Sequence, residues 1–171
     1  TSGDYNTVVG HYAGDVLTSG GSNTMIGQQA GSGQTTASNN TFVGAFSGEA
    51  TTDGNSNVAV GKGALKANTT GSYNVAIGYD ASLVSTDATQ NVVIGYDAGK
   101  TITSGGVNVI NGFEAALLGT TLSANVVIGH RAARAITSAD SNTIVGYNAA
   151  LGITTGSSNT IIGTNAGELG Q

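Results

Sequence analysis

The sequence predicts an all-β protein, a parallel β-solenoid in which each repeat of the chain forms one coil. Glycine stands four residues after each asparagine of a regular series, from Gly10 to Gly163, and Val, Ile, Thr and other mostly apolar residues lie between them. No insertion or deletion interrupts this spacing of seventeen residues. Stacked coils require such a register, because one added residue would displace every later side chain. The asparagines are Asn6, Asn23, Asn40, Asn57, Asn74, Asn91, Asn108, Asn125, Asn142 and Asn159.

The three residues after each asparagine predict a short β-strand, and the positions of a repeat are numbered from that asparagine. The first position is Thr or Val, the second is apolar in all ten repeats, and the third is Val or Ile in nine, with Asn111 as the exception. β-Branched residues favour strands, and glycine at the fourth position suits a corner with a positive φ. A helix is disfavoured because Gly, Thr and Asn recur and the apolar spacing lacks the helical period of about 3.6 residues.

The rest of the repeat predicts a second corner and a second strand. Alanine fills the seventh position in nine repeats, with Ser47 as the exception. Threonine fills the twelfth position of every complete repeat, from Thr18 to Thr154, and Thr1 continues this column backwards. Two short strands and two turns per coil give a flattened β-roll of ten coils, stacked about 4.8 Å apart. The stacked asparagine amides predict a hydrogen-bonded ladder along the solenoid.

Alternation along the strand predicts which columns face outward. The first and third positions share one side, which we assign to the coil interior, and the second position then points outward. The second-position column, from Val8 to Ile161, is apolar throughout, whereas a strand buried on one face only should alternate apolar and polar residues. We therefore predict a homotrimer associated through this column, with a dimer or a monomer as alternatives. Asn111 would lie inside a coil, where its amide needs backbone partners.

Composition restricts the partners that the chain is expected to bind. The 171 residues suffice for one domain, and the repeats extend over residues 1–171. Only 9% of residues are charged and the net charge is -5, so the clustered Lys and Arg of a nucleic-acid partner are missing. There is no cysteine for a disulfide or a thiolate metal site, and no apolar run approaches the roughly 18 residues of a membrane helix. No cofactor and no membrane insertion are predicted. Both ends, at Thr1 and Gln171, fall within a repeat, so we expect a segment of a longer protein.

One stretch of the chain resembles a known family. Residues 57–61 read Asn-Val-Ala-Val-Gly, residues 64–73 read Ala-Leu-Lys-Ala-Asn-Thr-Thr-Gly-Ser-Tyr, and residues 74–78 read Asn-Val-Ala-Ile-Gly. This unit resembles the repeats of bacteriophage tail fibres, which often lie upstream of an intramolecular chaperone domain. It is also similar, at another repeat length, to the heads of trimeric autotransporter adhesins. The resemblance extends over the whole chain and implies left-handed coils, a trimer, and a location in the virion or on a cell surface.

The fifth position carries a ring in five successive repeats. These candidate ligand-binding residues are Tyr79, Tyr96, Phe113, His130 and Tyr147. An exposed row of rings can stack on the faces of sugars, and a cell-surface glycan or protein receptor would suit a fibre. The alternative is that the rings stack on one another and stabilise the solenoid.

The sixth position carries Asp80, Asp97, Glu114 and then Arg131. Three like charges on adjacent coils repel, which Ca²⁺ would relieve, but a solvated acidic edge with a Glu114–Arg131 pair is the favoured interpretation. We predict no metal site. We also predict no enzymatic activity, because His11 and His130 lie seven repeats apart and no catalytic motif occurs.

The sequence thus favours a structural or adhesive fibre segment of a bacteriophage, with a location in the virion and a role in host attachment. A bacterial trimeric adhesin head, on the cell surface or outside the cell and binding a host or matrix ligand, is the alternative. An ice-binding solenoid is a further alternative, since the twelfth-position threonines form a regular column.

Overall fold

The structure, a computed structural model, describes residues 3–167, and Thr1 and Gln171, with the predictions made for them, lie outside this range. The described chain is all-β, without a helix, and its parallel strands form a β-solenoid of about nine turns. Each turn of the solenoid corresponds to one repeat of the sequence. The prediction of an all-β fold and a parallel β-solenoid is confirmed.

Every repeat contributes one strand of three residues at its first three positions. Two further strands, the eighth and the tenth along the chain, lie later in their repeats. In chain order the strands are β1 (Thr7–Val9), β2 (Thr24–Ile26), β3 (Thr41–Val43), β4 (Val58–Val60), β5 (Val75–Ile77), β6 (Val92–Ile94), β7 (Val109–Asn111), β8 (Thr121–Ser123), β9 (Val126–Ile128), β10 (Ser138–Asp140), β11 (Thr143–Val145) and β12 (Thr160–Ile162). Ten of them form one parallel sheet in the order β1-β2-β3-β4-β5-β6-β7-β9-β11-β12. Each residue pairs with the residue seventeen positions on, as Val58 does with Val75.

The predicted second strand forms in only part of the solenoid. Strands β8 and β10 pair in parallel as a separate two-stranded sheet, and isolated bridges continue it to Ser104 and Thr155. Elsewhere the threonine segments stack without strand geometry, although their backbones still bond from repeat to repeat, as Thr52 N does to Thr69 O at 3.0 Å.

The second position faces the interior, so the predicted orientation of the strand was wrong. Met25 and Phe42, both at the second position, are fully buried, whereas the third-position residues Val9 and Ile26 are 57% and 38% exposed. The reason lies in the asparagine two residues earlier, which shares a side with the second position. Most of the asparagines are buried, and their side chains point into the coil, which places the second position there as well.

This reversal also corrects the placement of Asn111. Its side chain lies on the exposed outer face of β7 rather than inside a coil, so it needs no interior partner. The second-position column, in turn, is coil core and cannot be the surface through which chains associate.

The interior is filled by compensation between large and small residues within a repeat. A Cβ atom added to Gly48 would lie 2.6 Å from the ring of Phe42, and one added to Gly119 would lie 2.5 Å from Cδ1 of Leu122. Where the second position is small, as at Ala59, the core is completed by Leu65 from the eighth position. Close packing of this kind leaves each coil with nearly the same outline.

The asparagine ladder is confirmed. The backbone N of Asn125 donates to Oδ1 of Asn108 at 3.0 Å, and its Nδ2 donates to the same oxygen at 3.1 Å and to Ala139 O at 2.8 Å. The corner glycines adopt the expected positive φ, for example 136° at Gly95, where a Cβ would overlap the carbonyl oxygen of the next corner glycine, Gly112.

Candidate functional site

The fifth-position rings form one continuous stack along an edge of the solenoid, directly after the corner glycines. Successive ring centroids lie 5.1, 5.3, 5.1 and 4.9 Å apart, and neighbouring ring planes differ by 9–11°. The stack contains Tyr79, Tyr96, Phe113, His130 and Tyr147, as the sequence placed them. The ring spacing is close to the spacing of strands in a sheet, so the register of the coils itself brings the rings into contact.

This geometry limits what the stack can offer a ligand. The rings of Tyr96, Phe113 and His130 are each covered on both faces by neighbouring rings, and they present mainly edges to solvent. Stacking on a sugar needs a free ring face. At the two ends of the stack, the outer sides of Tyr79 and Tyr147 are not covered by another ring of the stack, but the ammonium group of Lys62 lies over the ring of Tyr79.

Each sixth-position carboxylate has a basic partner from the ninth position of a repeat. Lys100 Nζ lies 3.1 Å from Asp97 Oδ1 and 3.4 Å from Asp80 Oδ2, and the hydrogen bond to Asp97 raises the pKa of Lys100 above its ordinary value. This pairing was not predicted from the sequence, where the sixth and ninth positions form separate columns. Lys100 relieves the repulsion between the two aspartates for which a cation had been considered.

Glu114 is held by two arginines. Its Oε2 lies 3.0 Å from Arg131 Nε, as expected, and 2.8 Å from Arg134 Nε. The hydrogen bond from Arg134, followed by the charges of both arginines, lowers the pKa of Glu114. Over residues 3–167, no group of three His, Cys, Asp or Glu side chains is arranged to hold a metal ion.

A cleft of about 540 Å³ adjoins Tyr79 at the end of the ring stack, on the turns of three repeats. Its walls include two rings, two lysines and two carboxylates, contributed by Phe46, Glu49, Lys62, Lys66, Tyr79 and Asp80. This cleft was not predicted from the sequence, because its walls mix the fifth, sixth and ninth positions and follow no single column. The one signal was Lys62, which occupies the fifth position in the repeat just before the ring column begins.

The two lysines of the cleft are each placed over a ring. Lys62 Nζ lies 5.5 Å from the centroid of Tyr79, and Lys66 Nζ lies 5.1 Å from the centroid of Phe46. Lys66 also lies 3.4 Å from Oε2 of Glu49. Lys62 has no carboxylate oxygen within 4.0 Å among the described residues.

The twelfth-position threonines bind the backbone of the following repeat. Their hydroxyls donate to the carbonyl oxygen of the next threonine in the column, at 2.9 Å from Thr18 to Thr35 and 3.2 Å from Thr103 to Thr120. These hydroxyl protons are therefore used within the solenoid rather than offered to ordered water.

Comparisons with protein-family models, with curated proteins and with solved structures found no match to this chain. A search of the described residues for a helix long and apolar enough to span a membrane also found none.

Proposed function

We propose that this chain is a rod-like segment of a homotrimeric fibre, of the kind that carries bacteriophage receptor-binding elements away from the particle. The observation that carries the proposal is the outer face of the ten-stranded sheet, whose third position is Val or Ile in nine of ten repeats and is exposed or half-buried along the solenoid. Its exposed members at the first and third positions are Val9, Ile26, Ile77, Val92, Val109, Ile128 and Ile162. Contiguous apolar surface of this kind marks an interaction site on a soluble protein.

The proposed interface differs from the one that the sequence suggested. Chains associate through the first- and third-position columns, which the coil leaves exposed, and not through the buried second position. A twofold dimer joins identical faces, whereas a threefold ring joins two different surfaces of each chain, such as the two sides of this face. Two copies would pack sheet against sheet, whereas the resemblance to tail-fibre repeats favours three copies around an axis, with ten left-handed coils in each.

The function proposed for such an assembly is mechanical. The backbone hydrogen bonds between repeats run along the rod, at 2.8 Å from Val58 N to Asn74 O and from Val75 N to Asn91 O. Nine steps of about 4.8 Å give a segment about 43 Å long. Each step is fixed by backbone bonds, an asparagine amide and a threonine hydroxyl, so the rod resists bending and offers few loops to proteases.

The ring stack has a structural role in this proposal. It stabilises neighbouring repeats, and a receptor that contacts Tyr79, Tyr96, Phe113, His130 or Tyr147 would meet ring edges and tyrosine hydroxyls. Tyr96→Ala combined with Phe113→Ala tests such a contact. Loss of glycan or cell binding with the circular dichroism spectrum unchanged would support a receptor site, and unchanged binding would leave the rings with the structural role alone.

Solution mass tests the assembly. We expect light scattering to give three chain masses for the wild type, and Ile128→Lys to lower that mass, because a charge would be buried at the interface. Leu118→Lys is the matched control, since Leu118 is 43% exposed, against 37% for Ile128, but lies on a turn away from the sheet. A wild-type mass of one chain across the concentration range would overturn the trimer.

A bacterial trimeric adhesin head remains the second candidate, because the cleft beside Tyr79 offers a concave surface that a simple spacer does not need. The flanking sequence distinguishes the two. A C-terminal chaperone domain indicates the phage fibre in the virion, and a membrane-anchor barrel indicates the bacterial surface.

A further inference from the structure

We propose that the cleft between Phe46 and Tyr79 binds a carboxylate-bearing sugar unit of an acidic polysaccharide. The proposal goes beyond the fibre function and does not depend on it. The cleft lies on the turns, between the fifth and tenth positions, whereas the proposed contact between chains lies on the outer face of the sheet.

Charge is the first argument. Three of the five basic residues, Lys100, Arg131 and Arg134, are already paired with carboxylates. Lys66 shares its charge with Glu49, and Lys62 has no carboxylate oxygen within 4.0 Å in the described part of the chain. The cleft therefore presents one uncompensated ammonium group on a chain whose net charge is -5. An anionic group is its electrostatic complement.

The rings supply the second argument. Tyr79 ends the ring stack, so the face that it turns away from Tyr96 is not covered by another ring of the stack. Both Tyr79 and Phe46 hold an ammonium group above the ring, which fixes the position of the charge without neutralising it. A sugar acid matches this combination, because its carboxylate pairs with an ammonium group while its C–H surface packs on the ring edges and on the apolar wall at Leu83 and Val84.

Shape is the third argument, and it favours a polymer over a free sugar. A second hollow of about 540 Å³ is lined by Tyr12, Gln29 and other turn residues, and it shares Glu49 and Ala50 with the first. The two hollows, here called the groove, therefore adjoin and lie on the turns of five successive repeats. Both volumes fall in the range of small-molecule sites, and two adjoining hollows suit successive units of a chain.

Neutral polysaccharides and nucleic acids fit the groove less well. A neutral sugar would leave the ammonium group of Lys62 without a partner. A nucleic acid carries a phosphate on every unit, and a polymer that is acidic at every unit would meet the carboxylates of Asp15, Glu49 and Asp80. The second hollow has no basic residue in its lining, so the groove suits a polysaccharide in which neutral units lie beside the acidic one.

Calorimetric titration of the whole chain tests the proposal with three probes: an oligosaccharide of alternating glucuronic acid and glucose, the matching oligosaccharide of glucose alone, and acetate. We expect the acidic oligosaccharide to bind about tenfold more tightly than the neutral one, and acetate to show no binding up to about 10 mM, since it lacks the sugar ring. The affinity should also fall as salt is added.

Two substitutions locate the site. Lys62→Gln should weaken binding of the acidic oligosaccharide about five- to tenfold, and Phe46→Leu should weaken it while keeping an apolar side chain. Arg131→Gln is the matched control: it removes one positive charge four repeats away, where Arg134 still holds Glu114, and should leave binding unchanged.

Three results would overturn the proposal: no binding by the wild type, equal affinity for the acidic and neutral probes, or wild-type affinity in Lys62→Gln. Solution mass measured on the same samples separates this outcome from the fibre proposal. A monomer that binds the acidic probe would refute the trimer and support the groove. A trimer that does not bind the probe would support the trimer and refute the groove.

Discussion

Replacing Asn108 with alanine tests whether the amide ladder holds the repeats together. Oδ1 of Asn108 accepts hydrogen bonds from N and Nδ2 of Asn125, at 3.0 and 3.1 Å. Its Nδ2 donates to Asn91 Oδ1 at 2.9 Å and to the backbone carbonyl of Leu122 at 2.6 Å. The alanine variant loses all four bonds in the middle of the solenoid.

The expected cost follows from the groups left behind. Asn108 is fully buried, and so is Asn125, whose backbone N–H loses its acceptor. A buried polar group without a partner costs about 1–3 kcal/mol. With the Leu122 carbonyl also losing its side-chain donor, we expect Asn108→Ala to lower the free energy of unfolding by about 2–5 kcal/mol.

Gln28→Ala is the control for this experiment. It also removes a side-chain amide, but Gln28 is exposed on a turn outside the sheet, and its side chain forms no hydrogen bond with the described residues. Urea denaturation followed by far-ultraviolet circular dichroism, at one protein concentration, gives both values. The control should change the free energy of unfolding by no more than about 0.5 kcal/mol. If the free energies of unfolding of the two variants differed by less than about 0.5 kcal/mol, the stabilising role assigned to the ladder would be refuted.

Four further substitutions test other features of the fold. Gly95→Ala should destabilise the chain by about 2–4 kcal/mol, because φ is 136° and the new methyl group would overlap the next corner glycine. Thr51→Val should stabilise it by about 1 kcal/mol, since Oγ1 of Thr51 is buried without a partner in residues 3–167, whereas Thr52→Val should destabilise it by removing a 3.1 Å bond. The lowered pKa of Glu114 means that its ionised form stabilises the fold at neutral pH, and that this contribution is lost as the pH falls below about 4.5 and through the folded pKa. Glu114→Gln should therefore reduce the loss of stability on acidification, while weakening the contact with Arg134.

Thermal and urea denaturation measure all of these changes. For the corner, Gly152→Ala is the control, because a Cβ there meets nothing within 4 Å, and equal effects at the two glycines would contradict the corner argument. Destabilisation by Thr51→Val would show that its hydroxyl has a partner. An unchanged slope of stability against pH in Glu114→Gln would show that this carboxylate does not govern the acid response.

The sequence predicted the coil, but not which side of its strand faces the interior. The recurring asparagine and glycine require a fixed register, and the structure contains the resulting strand, corner and ladder. Hydrophobicity did not reveal the interior, because the first, second and third positions are all largely apolar. The asparagine ladder identifies the interior side, because side chains two residues apart point the same way. Since Asn108 is buried, Ile110 must be buried as well.

The candidate site was predictable only where it repeats. The ring stack appeared in the sequence as a column, and its geometry followed from the register. The cleft did not appear, because Phe46 occupies the sixth position and Lys62 and Tyr79 the fifth, in three different repeats, and the three meet only through the turn geometry. The pairing of Glu114 with Arg134 was missed for the same reason, since the two residues are twenty positions apart.

Compensation between large and small residues has a consequence for evolution. Because Gly48 makes room for Phe42 within a single repeat, as Gly119 does for Leu122, most of the fit is local to one coil. Recombination between similar stretches of the gene can then add or remove a whole repeat with little need for matching changes elsewhere. The length of such a rod becomes a heritable quantity that changes in steps of about 4.8 Å, so that selection can adjust reach separately from whatever the rod binds.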